Sequence, residues 1–210
     1  MDCSTGCGSG CGSRSVCPCP VQGNPEIDSL EKIINCYWQN NQHYDVDKAW
    51  YSSLESLEVA VHDAALALAD ENVDLEHVPD RISLTELAAA KKRLLEAVPQ
   101  ISEAEQVDTV QATVRQCLDD LPGIDECLVF VTALRIGMQM HLEPQRIYLH
   151  PEVRDGASQL LELDDASSSL EKSQLPALLQ HPDLPVAVIQ GCLTMCRQQL
   201  RWLRLKGVLS

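Results

Sequence analysis

Residues 121–150, LPGIDECLVFVTALRIGMQMHLEPQRIYLH, decide the fold. A break at Pro122-Gly123 leads into an apolar run of about sixteen residues with an acidic pair, Asp125-Glu126, at its start. The stretch ends in a short polar and aromatic segment carrying Arg146, Tyr148 and His150. An apolar run of that length after a turn signal reads as a buried helix, because strands rarely exceed eight residues. We read it as the central helix of a helical core, followed by its exit loop.

Composition supports an all-α fold. Apolar residues make up 45% of the chain but aromatics only 4%, with one Phe, so the core must be aliphatic. Leu- and Ala-rich cores favour helix over sheet. The net charge of −15 is uneven: residues 26–126 hold 22 acidic and 7 basic side chains, whereas residues 127–210 hold 8 of each. An acidic first half disfavours a nonspecific nucleic-acid or anionic-membrane surface there, because phosphate binding needs neutralising cations. The neutral second half leaves nucleic acid open. No apolar run is long enough to span a bilayer. The N-terminus shows neither a basic nor an apolar export region, so the expected location is a bacterial-type cytoplasm, with thiols rather than disulfides.

Upstream of the central stretch, Asn24-Pro25-Glu26 has the pattern of a helix N-terminus. The helix it opens is expected to reach about Asn41, with Ile27, Leu30, Ile34 and Tyr37 inward. A second helix is expected over 46–69, where Trp50, Leu54, Leu57, Val61, Ala64 and Leu68 recur at helical spacing. Ser83 with Glu86, and Ser102 with Glu105, have the spacing of capping boxes for a third and a fourth helix. Downstream, Pro151 suits the first turn of a short helix, 164–173 reads as a polar loop, and a last helix is expected over 185–206, stopped by Gly207. Only 146–149 suggests a strand. The reading is a single all-α domain of about seven helices over 24–210, carrying a tail over 1–23.

That tail, MDCSTGCGSGCGSRSVCPCPVQG, has almost nothing to place in a core. Its Cys3, Cys7, Cys11, Cys17 and Cys19 are of the type that binds Zn, Cu or an iron–sulfur cluster, although paired C-x2-C knuckles are absent. A redox-active tail and a tail without a role are the alternatives.

Two resemblances enter at the central stretch. The ALRIG (133–137), LEPQRIYLH (142–150) and R-x-G-A (154–157) blocks resemble a family of uncharacterised bacterial helical proteins, over about residues 45–205. That resemblance implies the extent of the domain and no activity. LPGI (121–124) followed by an apolar helix is similar to a helix-hairpin-helix, which would imply backbone amides holding a DNA phosphate. Asp125 replaces the second glycine of that motif, Cys127 takes about the place of the lysine of base-excision glycosylases, and no aspartate follows in the IYLH loop. Glycosylase chemistry is therefore not expected.

Arg135, Arg146, Tyr148, His150 and Arg154 form the most site-like polar set. Either they form a structural network paired with acids of the first half, or they line an anion, peptide or nucleotide pocket. Cys192 and Cys196, four apart, can form a thiolate site with Cys117 or Cys127, or simply pack. No Walker loop, H-E-x-x-H or Ser-His-Asp pattern is present. The expectation is a non-enzymatic accessory protein with a protein partner, no membrane, and a metal-binding tail. The alternatives are a DNA-binding helix-hairpin-helix module and a small enzyme using residues 146–154.

Overall fold

The computed structural model describes residues 28–40, 43–65 and 83–209, and among them the chain is helical apart from one two-stranded ribbon. The helices are α1 (Leu30–Asn40), α2 (His43–Ser53), α3 (Leu57–Ala65), α4 (Leu84–Glu96), α5 (Val98–Ile101), α6 (Val107–Leu118) and α7 (Glu126–Gln139), then α8 (Pro151–Ala157), α9 (Val186–Met195) and α10 (Arg197–Leu205). The ribbon pairs β1 (Arg146–Tyr148) antiparallel with β2 (Ser169–Glu171), Ile147 facing Leu170. None of these helices is long and apolar enough to cross a membrane.

The central stretch forms α7 as expected. Asp125 caps it, its carboxylate accepting from the Leu128 N–H at 2.8 Å. Val129, Phe130, Ala133, Ile136 and Met138 are buried along it. Each of these side chains but Ala133 contributes roughly 1.5–3 kcal/mol when taken out of water. Gly123, at φ 78, makes the turn that brings α6 and α7 together.

The core is in two parts. Helices α2 to α7 enclose one cluster, including Tyr51, Val61, Leu94, Ile101, Val110, Val114 and Ile136. The ribbon, α8, α9 and α10 enclose a second, including Ile147, Val153, Leu170, Ile189, Leu193, Leu200 and Leu203. Helix α1 belongs to the second cluster through Leu30, Ile33 and Tyr37, although α2 belongs to the first. Tyr44, in the first turn of α2, touches both clusters.

Several expected boundaries differ. The helix expected over 46–69 is two helices, α2 and α3. Serines break it: Ser53 Oγ bonds back to the Trp50 carbonyl at 2.7 Å, and Ser56 Oγ accepts from the Val59 N–H at 3.3 Å. Tyr51, not Trp50, is then the buried aromatic of α2. The Ser83–Glu86 capping box forms, with both reciprocal bonds present. The Ser102–Glu105 box does not. Ser102 ends α5 instead, its hydroxyl bonded to the Pro99 carbonyl at 2.8 Å, and Gln106 precedes α6 without a side-chain cap. The last helix breaks at Cys196 into α9 and α10. Gly207 stops α10 at φ 70, as expected. Asn24, Pro25 and Glu26 lie outside the described residues, as does the 1–23 tail.

Helix α8 crosses α9 at one point of backbone contact. A Cβ on Gly156 would lie 2.0 Å from the Leu193 carbonyl oxygen. Gly207 has no neighbour within 4 Å of such a Cβ. Gly156→Ala should therefore cost about 3 kcal/mol or more, because neither backbone can retreat inside a packed core. Gly207→Ala should cost only about 1–2 kcal/mol, the strain of a left-handed residue. Equilibrium denaturation of the two variants measures the contrast, and equal losses would contradict the close crossing.

Candidate functional site

The Arg146–Arg154 segment runs from the end of α7 across β1 into α8. His141, at φ 57, reverses the chain after α7, and the Leu142 N–H donates to the Gly137 carbonyl at 2.8 Å. Strand alternation then sends Ile147 fully into the second cluster and puts Arg146 and Tyr148 on the opposite side. Arg146 stands opposite Glu171 in register and its Nε donates to that carboxylate at 2.6 Å. The Tyr148 ring packs on Phe130 of α7 with centroids 5.5 Å apart. The Tyr148 N–H donates to the side-chain carbonyl of Gln190 on α9 at 2.9 Å.

The Tyr148 hydroxyl is buried facing Asp108 of α6, without a hydrogen bond of normal geometry to any described residue. Burial, and then the Asp108 carboxylate, push its pKa above the ordinary tyrosine value. His150 is buried, with Nδ1 3.0 Å from a Glu152 carboxylate oxygen. The Arg154 guanidinium donates to the carbonyls of Asp164 and Ser167, which pins the loop between α8 and β2. Arg135 lies apart from all of these. Its Nε donates to Asp47 of α2 at 3.1 Å, and its guanidinium sits 5.7 Å from the Tyr51 ring centroid.

The five residues therefore meet different partners in three places. Arg146 and Tyr148 share the ribbon, His150 and Arg154 hold α8 and its following loop, and Arg135 ties α7 to α2. Of the paired acids, Asp47 alone comes from residues 26–126; Glu171, Glu152 and the loop carbonyls belong to the second half. Sequence reasoning missed Asp108 and Gln190. A glutamine inside the apolar run VAVIQGCL was the available signal, since a buried amide needs a partner.

A cleft of about 330 Å³ opens between the C-terminal end of α6, the 119–125 turn and the starts of α7 and α8. Asp119, Asp125, Glu126 and Glu152 line it, against one cation, Arg115. Arg115 is already paired with Glu126 across the hairpin, Nε to Oε1 at 3.1 Å. Neither this cleft nor the open one on α4 beside Lys91, Lys92 and Leu95 is lined by Arg146, Tyr148 or His150. At the 119–125 turn Asp125 occupies an amide at the start of α7, and four carboxylates surround the approach.

Cys192 and Cys196 are buried thiols of the second cluster, whereas Cys117 packs at the edge of the first, so these three do not converge, and Cys127 is in a disulfide rather than the expected thiol. Among the described residues no group of three or more His, Cys, Asp or Glu is placed to hold a metal ion. Cys3, Cys7, Cys11, Cys17 and Cys19 lie outside them.

Two large apolar side chains one turn apart on α2 are left in water: Val46 is 62% exposed and Trp50 44% exposed. Ala49 between them is exposed as well. No family model matches the chain, and no curated protein or solved structure matches it.

Burial by itself would raise the Glu152 carboxyl, but the His150 hydrogen bond and the Arg197 charge outweigh it and hold the carboxyl below its usual range. A carboxylate with a depressed folded pKa contributes stability above its unfolded value, near about 4.3, and loses that contribution as pH falls through the folded value. Melting temperatures from neutral pH to about pH 3 should thus fall less steeply for Glu152→Gln than for the wild type below about pH 4.5. Parallel curves would show that the pair contributes nothing.

Proposed function

We propose that this chain is a non-enzymatic interaction protein that docks a protein partner through the Val46–Trp50 face of α2, and that its N-terminal cysteines gather a thiophilic metal ion or cluster. The exposed Val46–Ala49–Trp50 stripe carries the docking half of the reading. Burying either large side chain in an interface contributes roughly 1.5–3 kcal/mol, and tryptophan is the residue type most often found at interface hot spots. The dispersed engagement of Arg146, Tyr148, His150 and Arg154 weighs against the alternative of an enzyme using residues 146–154. The carboxylates around the 119–125 turn weigh against a DNA-binding module, because an incoming phosphate meets like charge. The metal half rests on the density of thiols in the tail.

The two halves are testable separately. Anaerobically purified full-length protein should carry Zn, Cu or Fe that is lost on deleting residues 1–23, and metal-free protein in both forms would refute the metal half. A protein captured from the native host by the wild type should be lost with Trp50→Asp. The same captured set from both proteins would refute the docking half.

A further inference from the structure

The C-terminal end of the chain carries the electrostatic opposite of the α2 face. Residues 197–209 hold Arg197, Arg201, Arg204 and Lys206 and no carboxylate, in a chain of net charge −15. Arg201 pairs with Asp155 at 2.8 Å, and Arg197 approaches the same carboxylate at 4.0 Å. Arg204 donates to the Ser158 carbonyl and Lys206 lies 3.5 Å from the Trp202 ring centroid, so neither has a carboxylate partner among the described residues. Leu200 and Leu203 point into the core, which leaves Leu205 81% exposed and Val208 46% exposed beside these two cations.

The α2 face matches that edge in reverse. On α2 itself Lys48 is paired with Glu143 and Asp47 with Arg135, which leaves Asp45 as the flanking carboxylate. The exposed apolar residues of this face, Val46 and Trp50, are flanked by the exposed Asp45. The α2 face therefore offers an apolar contact beside the Asp45 carboxylate, and the C-terminal edge offers one beside two cations. Two C-terminal edges brought face to face would repel, as would two α2 faces. An edge against an α2 face attracts, and burying apolar atoms between them desolvates the ion pairs that form.

We propose that the occupant of the α2 face is a second copy of this chain, which docks its Leu205–Val208 edge on Val46 and Trp50 in a head-to-tail contact. The proposal rests on the α2 face being a protein-docking surface and names its partner. Head-to-tail contacts use two different patches, so a dimer still has one patch of each kind free and the assembly grows further. Opposite charge makes the contact weaken with salt, because exposed ion pairs are screened over about 8 Å at physiological ionic strength.

Sedimentation velocity of the full chain under reducing conditions, from low to high micromolar concentration, tests the proposal. Wild type should show a concentration-dependent series of species that shrinks as salt rises. Trp50→Asp removes only the acidic face, and Leu205→Asp removes only the cationic edge. Each variant alone should weaken association about thirtyfold or more and sediment as a monomer. Mixed in equal amounts, they should form a dimer that grows no further, since one supplies the intact edge and the other the intact face. Val46→Asp replaces Trp50→Asp, and Arg204→Glu with Lys206→Glu replaces Leu205→Asp, if circular dichroism shows a variant unfolded. A wild type that stays monomeric throughout, variants that associate as the wild type does, or a mixture that stays monomeric would each overturn it. A monomeric wild type that still loses a different captured protein on Trp50→Asp would refute the second copy and leave the docking face standing.

Discussion

Tyr148 joins the two halves of this fold. Its backbone N–H is held by Gln190 of α9, its ring packs on Phe130 of α7, its hydroxyl faces Asp108 of α6, and its strand pairs with β2. Those contacts reach helices on both sides of the divided core. Ile147, next to it, points the other way into the second cluster. A strand of three residues can do this because alternate side chains face opposite sides. Without that joint, α2 to α7 and the C-terminal elements would share few of their apolar contacts.

The polar residues around the joint follow from the same constraint. A strand and a short helix wedged between two apolar clusters expose backbone and side-chain polar groups to low dielectric, where each unpaired group costs roughly 1–3 kcal/mol. His150 and Arg154 meet that cost locally, with Glu152 and the 164–167 carbonyls, while the exposed Arg146 pairs with Glu171. Such pairing uses up the groups that would otherwise bind a ligand. The large apolar side chains left exposed among the described residues lie elsewhere, on α1, on α2, at Leu178 and at the end of α10. The surfaces on α2 and α10 are apolar and charged rather than concave, so they suit macromolecular contact more than small-molecule chemistry.

Much of the architecture was legible in the sequence where local chemistry and burial agree. The α7 run, the Ser83–Glu86 cap, the Pro151 start and the Gly207 stop all read correctly, because each is decided within a few residues. The 46–69 stripe misled because its period carries through Ser53 and Ser56, whose hydroxyls satisfy the backbone on both sides of a break. The same stripe placed Trp50 inside, whereas the break leaves it in water and buries Tyr51. Ser102–Glu105 failed for a related reason: Pro99 starts a short helix that Ser102 ends. Arg135, Arg146, His150 and Arg154 each have a polar partner, but in separate places rather than in one network. The partners on the ribbon were not legible, because Glu171 and Gln190 are brought to it only by strand pairing and by α9 packing. The division of the core between α1 and α2 has no local signature, since both are ordinary amphipathic helices.

The claim that the Arg146–Arg154 segment is a packing joint, held by the Tyr148 ring and not by chemistry at its hydroxyl, is tested most directly by urea unfolding of Tyr148→Phe beside Tyr148→Ala. The phenylalanine variant keeps the ring on Phe130 and loses a buried hydroxyl without a normal hydrogen bond, so it should lie within about 0.5 kcal/mol of wild type. The alanine variant leaves a cavity between α7 and the ribbon and should lose roughly 3 kcal/mol. Equal losses in the two variants would place the joint in the hydroxyl, and no loss in either would show that the halves do not depend on Tyr148 at all.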